Sequence, residues 1–247
     1  MTIPKLLLEV QNRRSDIIQL TSDLIKIPTI NPPGTNYKEI CEFLSKRLKK
    51  SGFDVDIIRA KGALADTDKY PRFNLVARHE GTYSGPCIHF NSHIDVVDTG
   101  HGWTRDPFGG SIEGDKIFGR GSCDMKGGLA SSIVAAEVFI SIFPKYYGAI
   151  EISATADEET GGYGGVAWLA EKGYFNPKKV QSVIIPEPLN KDRICLGHRG
   201  VWWSEIETKG RVAHGSMPFL GDCAIRHMGA VLEAVSYTHL TLPTNRE

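Results

Sequence analysis

Through the first three quarters of the chain, apolar residues recur alternately at helical and at strand spacing, and this alternation limits the fold more than any other feature. Ile17, Leu20, Leu24 and Ile25 fall on one helical face, as do Ile40, Phe43, Leu44 and Leu48 before a stop at Gly52. Phe53, Val55 and Ile57 alternate with polar residues, and residues 74–78 and 87–91 read as short strands. A hairpin is expected over 111–119, turning at Gly114-Asp115. Beyond it come a small-residue helix over 126–143, a strand over 149–156, a helix over 165–172 and a buried strand over 182–185. Helices set between strands imply the α/β class, a layered domain with a mixed, mostly parallel sheet between helices. After Pro188 the character changes: residues 193–197 and 201–209 are strand-like and a helical pattern runs over 222–235, so a second domain is expected from near residue 190.

Charge and run length remove several functional classes. The 29 Lys and Arg residues balance 29 Asp and Glu residues, which leaves no basic excess for binding nucleic acid through phosphates and no net charge to favour disorder. The most apolar stretch, residues 133–143, contains Glu137 and stops at Pro144, well short of the roughly 20 residues a spanning helix needs. Leu6, Leu7 and Leu8 run straight into Glu9, too short for the apolar region of a signal peptide. No membrane association is expected, and the cytoplasm is the expected compartment. The five cysteines are odd in number and show no C-x-x-C spacing, so neither a disulfide framework nor a thiolate zinc site is indicated; reduced, mostly buried thiols are expected.

Four polar clusters fall where strands end or helices begin: His93 with Asp95; Asp124 ahead of a helix; Asp157-Glu158-Glu159; and Glu187 between two prolines. In an open α/β sheet, ligands bind in the crevice outside the carboxyl ends of the strands, so these groups are expected to converge. Several carboxylates brought together without counter-charge cost several kcal/mol or become protonated, and a divalent cation is the simpler account. An imidazole among carboxylates suits zinc, cobalt or manganese, and two ions bridged by one carboxylate are a usual hydrolytic arrangement. Asp95, two residues from His93 on an extended segment, could accept from the other ring nitrogen and orient the imidazole. Glu158 and Glu159, neighbours on an extended chain, would point in opposite directions, one to ligate and one to take a proton from water. Each cluster alone also has a plainer reading: His93 in a surface turn, Asp124 as a helix cap, the acidic pair as a solvated loop. Residues 162–167 fit G-x-G-x-x-A with Glu187 at the distance of a ribose-binding acid, but the three acids just before them would repel a pyrophosphate.

Taken in order, the motifs Ser92-His93-Ile94-Asp95-Val96-Val97, Trp103 with Asp106-Pro107-Phe108, Gly119-Arg120-Gly121-Ser122-Cys123-Asp124-Met125-Lys126-Gly127-Gly128 and Asp157-Glu158-Glu159-Thr160-Gly161-Gly162 resemble those of the co-catalytic metallohydrolases. That family includes acetylornithine deacetylase, succinyl-diaminopimelate desuccinylase, aminoacylase and carboxypeptidase G, and the resemblance covers about residues 10–235. It implies two divalent metal ions, zinc foremost with cobalt or manganese as alternatives. His93 and Glu187 would bind one ion, Asp124 would bridge both, and Glu159 would bind the second. Glu158 would be the general base, Asp95 would orient His93, and the Asp124-Met125 peptide would be cis. The second domain resembles the family's α+β lid and dimerisation domain, where His214 would reach a partner subunit's site to stabilise an oxyanion and Arg199 would hold a substrate carboxylate.

The expected organisation is therefore a catalytic domain over 1–189, an incomplete lid over 190–235 and a tail over 236–247. This tail resembles a translated sequencing adapter, does not match the family, and interrupts the last helix with β-branched residues. The family's last histidine ligand would lie past the lid and is missing. The expected activity is cleavage of the amide bond of an N-acyl amino acid by metal-activated water, in a homodimer when full length. Dipeptidase or carboxypeptidase activity of the same family, acting on a short peptide, is the alternative; a non-catalytic binding or assembly fragment is an alternative of another class.

Overall fold

The computed structural model describes residues 3–190, 192–197, 200 and 204–237. The chain divides into two compact units, Met1–Arg193 and Ile194–Glu247. In the first, α1 (Ile3–Asn12), α2 (Arg14–Ile25) and α3 (Tyr37–Lys50) precede strands β1 (Asp54–Arg59), β2 (Phe73–Glu80) and β3 (Tyr83–His93). A short hairpin, β4 (Ser111–Glu113) and β5 (Lys116–Phe118), leads to α4 (Lys126–Ile142), β6 (Tyr147–Thr155), α5 (Val166–Glu171) and β7 (Val180–Ile184). The second unit carries α6 (Ala224–Tyr237).

The main sheet has the order β1-β2-β6-β3-β7. β1 and β6 each pair antiparallel with β2, whereas β3 runs parallel to both β6 and β7, so the sheet is evenly mixed. The crossover from β3 through α4 to β6 runs one way across the sheet, and that from β6 through α5 to β7 runs back. Right-handed connection therefore sends α4 and α5 to opposite faces. On the α4 face, Ile150, Ile152 and Ala154 of β6 join Leu75 and Ala77 of β2 in one core with Leu44, Leu48, Leu129 and Ile133. On the other face, Cys87, Ala149 and Val180 form a small apolar cluster, and the Phe175 ring lies 4.7 Å from that of His89.

Several expectations change. β3 runs two residues past Asn91, so His93 is the last residue of a strand, not part of a loop. α1 is an added helix; Leu6 and Val10 pack on the core while Ile3, Leu7 and Leu8 face solvent. Residues 182–185 are not buried: β7 pairs on one side only, and Val183, Ile184 and Ile185 are 42%, 45% and 55% exposed. A short apolar run cannot by itself distinguish a central strand from an edge strand. Cys41 and Cys87 are buried, but Cys123, Cys195 and Cys223 are exposed, so the thiols are free yet not mostly buried. None of the described residues in 193–197 and 204–209 forms a strand, and among the described residues of the second unit the only bridge pairs Arg211 with Asp222. Without a neighbouring strand, alternation along a segment has no ladder to join. α6 continues through Tyr237, two residues past the expected interruption, and residues 238–247 lie outside the described residues. Among the described residues, no helix is long and apolar enough to cross a membrane.

Candidate metal centre

Three of the four polar clusters lie at the carboxyl ends of the parallel strands, and the fourth lies at the start of the helix between two of them. β3 ends on His93, β6 ends on Thr155 just before Asp157-Glu158-Glu159, β7 ends on Ile184 just before Glu187, and Asp124 immediately precedes the N-cap of α4. The register sets His93 beside Thr155. His93, Asp124 and Glu159 each turn one ligating atom into a group whose atoms lie within 4.8 Å of one another. Around the same imidazole, Nε2 of His93 is 3.0 Å from Asp124 Oδ1, 3.7 Å from Glu187 Oε1 and 3.9 Å from Glu158 Oε2. Met125, not Asp124, is the N-cap residue of α4, and the Asp124 carboxylate turns toward the imidazole. The Asp124-Met125 peptide is cis.

The charge balance follows from this crowding. Burial pushes Glu159 up to about 7, opposed by the His93 charge and reinforced by Asp124, Asp95 and Glu158. Burial likewise pushes Glu187 up to about 7, with Asp124 and Glu158 adding to it. Burial alone would lower His93, but the hydrogen bonds to Asp124 and Asp95 and the charges of Asp95 and Glu187 outweigh it, and the imidazole is pushed up to about 11. The hydrogen bond from His93 holds Asp124 below the usual carboxylate range in spite of burial, with Arg120 contributing. The cluster therefore favours positive charge at its centre, and an imidazole among carboxylate oxygens is a donor set that fits a zinc-like divalent ion.

Around this cluster, Nδ1 of His93 donates to the main-chain carbonyl of Asp95 at 3.0 Å, closer than the Asp95 carboxylate at 3.5 Å. That carboxylate is fully buried and accepts from the backbone N–H groups of Glu158 at 3.2 Å and Glu159 at 3.1 Å, and from Asn31 Nδ2 at 2.8 Å. Asp95 thus ties the imidazole strand to the acidic turn. Glu158 and Glu159 are not on extended chain; they open a 3-10 turn over Glu158–Thr160. With three residues per turn, successive side chains diverge by about a third of a revolution, which separates an exposed Glu158 from a half-buried Glu159. His214 sits in a turn of the second unit, where Nδ1 accepts from Ser216 N–H and leaves Nε2 to carry the ring proton. Arg199 lies outside the described residues. Asn31, which bridges Asp95 and Thr160, escaped sequence reasoning; its one signal is a polar residue immediately before Pro32-Pro33-Gly34.

Comparison with known proteins shows the family and the fold. The chain is 35% identical over 212 residues to a probable succinyl-diaminopimelate desuccinylase of Staphylococcus epidermidis, a match that covers 85% of this chain and 48% of that protein. It therefore spans about half the length of the curated relatives it matches. Human carnosine dipeptidase 1 shares the fold at a TM-score of 0.62 and 20% identity, over 74% of this chain and 41% of that one. An M20 family metallo-carboxypeptidase from Sulfolobus solfataricus does so at 0.57 and 24%, over 69% and 37%. Residues 89–241 match the profile of peptidase family M20/M25/M40, a span that contains every acid and imidazole converging at the strand ends, and to that family this chain belongs.

Proposed function

We propose that this chain carries the metal-holding part of a hydrolase that cleaves the amide bond of an N-acyl amino acid of the succinyl-diaminopimelate or acetylornithine kind. The observation that carries the reading is the approach of His93, Asp124 and Glu159 ligating atoms within 4.8 Å of one another, with Glu187 beside them. The 35% identical desuccinylase relative supports the substrate class. His93 and Glu187 would hold one divalent ion, Glu159 the other, and Asp124 both; zinc fits the donors, with cobalt or manganese as alternatives. When bound, such ions polarise a carbonyl and make water a stronger acid.

The remaining chemistry belongs to side chains. Glu158 is exposed beside the cluster, with its carboxylate 3.9 Å from His93 Nε2, so this carboxylate takes the proton from the attacking water and returns it to the leaving amine. Asp95 keeps His93 and the acidic turn in register. His214, with its proton on Nε2, would donate to the oxyanion in a homodimer's partner site, and Arg199 would hold the substrate carboxylate. The second unit would serve as lid and dimerisation domain, and the protein would work in the cytoplasm.

The test combines ion titration with a substrate panel. Zn²⁺ or Co²⁺ should bind the chain, and His93→Ala should weaken binding at least about tenfold. N-succinyl-diaminopimelate, N-acetylornithine and dipeptides should be hydrolysed in that order of preference. Glu158→Gln should lower kcat by about 10²–10⁴ with ion affinity unchanged. Ion binding without hydrolysis of any of these by the chain extended to the full length of its relatives would overturn the enzymatic reading in favour of a non-catalytic binding or assembly role.

A further inference from the structure

The geometry points to Arg72, Tyr37 and Asp157 as a positioning set that fixes the acidic turn and thereby aims Glu159 into the metal centre; this rests on the metal-holding role proposed above. Asp157 is the hinge between β6 and the turn. It has φ 63° and ψ 18°, a left-handed conformation that few non-glycine residues adopt and that Asp and Asn accept best. Its carbonyl closes the turn by accepting from Thr160 N–H at 3.1 Å and Gly162 N–H at 2.6 Å. Its carboxylate, 3% exposed, accepts from Arg72 Nε at 3.0 Å and from the Tyr37 hydroxyl at 3.1 Å.

Arg72 is itself locked in place. Its Nη1 donates to the carbonyls of Pro33 at 2.8 Å and Tyr70 at 2.7 Å, and the residue is 2% exposed. Glycines close over the pair from two sides: a Cβ on Gly34 would come within 2.5 Å of Arg72 Nη1, and one on Gly164 within 2.5 Å of Arg72 Cγ. An ion pair buried this completely is poor evidence for stability, because apolar residues of similar volume often do as well; its best-attested use is to specify one geometry among several. Here the geometry specified is the dihedral from which Glu158 and Glu159 both project. Asp95 grips the same turn through the N–H groups of Glu158 and Glu159, so the turn is fixed from two sides.

The test uses the full chain titrated with Co²⁺, reading the dissociation constant and the visible absorption band, with folding checked by circular dichroism. The double variant R72M/D157N removes both charges together, leaving no ion buried alone, and Asn accepts the left-handed conformation. Tyr37→Phe removes one hydroxyl and decides alone should the double variant not fold. Groups behind metal ligands typically change affinity by about 10–100-fold. The double variant is expected in that range and Tyr37→Phe near its lower end, each with an altered Co²⁺ band in a folded protein. A folded variant with the parent's affinity and band overturns the positioning role. A parent chain with no Co²⁺ band overturns the metal-holding reading, and the positioning role falls with it.

Discussion

Lys126 has no exposed surface and lies two residues past Asp124; burial pushes its amine down to about 7, and its surroundings explain why it is tolerated. Its Nζ donates to the carbonyl oxygens of Leu24 at 2.9 Å and Ile27 at 2.8 Å, at the end of α2 where helix carbonyls lack intrahelical partners. One side chain thus fastens the start of α4, which presents Asp124, to the segment that leads to Asn31. Replacing Lys126 by Met keeps the apolar stem but takes the donor from the Ile27 carbonyl and leaves the Leu24 carbonyl to the Ile27 N–H at 3.2 Å, a loss of about 1–3 kcal/mol that is partly offset because no amine is buried. Lys126→Met should therefore unfold about 1–3 kcal/mol more readily in urea. A midpoint equal to the parent's would show that water or a shifted backbone replaces the amine.

Between elements, one charged knot joins three helices. Arg47 of α3 grips Asp16 of α2 with Nη1 and Nη2 at 2.9 and 2.8 Å, and grips Glu137 of α4 with Nε and Nη2 at 2.9 and 2.7 Å. Arg13 adds contacts to both acids. The Arg47 hydrogen bond, aided by Arg13 and against the effect of burial, holds Asp16 down to about 2. Because the folded value lies below the ordinary 3.8, this carboxylate contributes stability above about pH 4 that is lost as pH falls through 2. Asp16 keeps 30% of its side chain exposed and water still screens the pair, so the contribution is about 0.5–1 kcal/mol. Asp16→Asn should accordingly be less stable than the parent by that amount at pH 6, with the difference shrinking toward zero as pH falls through 2, in urea unfolding. A pH-independent difference would mean that shape, not charge, holds the helices. Glu137 shows what sequence patterning does and does not reveal. A charge in the most apolar helix argues against a membrane span, but nothing local says that Arg47, 90 positions away, will meet it. The convergence of His93, Asp124, the Glu158-Glu159 pair and Glu187 was legible because strand ends and helix starts in an alternating chain lie together, whereas the choice of Glu159 over Glu158 was implied only by the family resemblance. Arg72, Tyr37 and Asn31 were not legible, since they carry no spacing rule and owe their places to loop closure around Pro32-Pro33. The exposure of β7 was hidden for the opposite reason: its composition suits either a central or an edge position.

At the scale of the whole molecule, the residues proposed to hold ions all belong to the unit Met1–Arg193, and they come from four segments spread between His93 and Glu187. The unfolded chain cannot keep His93, Asp124, Glu159 and Glu187 together, so any ion they bind favours the folded state by mass action. At a free ion concentration 100 times the dissociation constant the gain is about 2.7 kcal/mol, which for a domain of this size raises the melting temperature by about 5–10 °C. Excess chelator should reverse the shift, and His93→Ala should nearly abolish it. Hydrogen exchange locates the effect: amides at 93–95, 124–129 and 155–160 should slow when Zn²⁺ or Co²⁺ is added, with Ile194–Glu247 as the internal reference. A melting temperature indifferent to ion and chelator would mean that protons alone balance the carboxylates, as the positions of Glu159 and Glu187 near 7 allow. The strand-end cluster would then be an acidic crevice, not a metal centre.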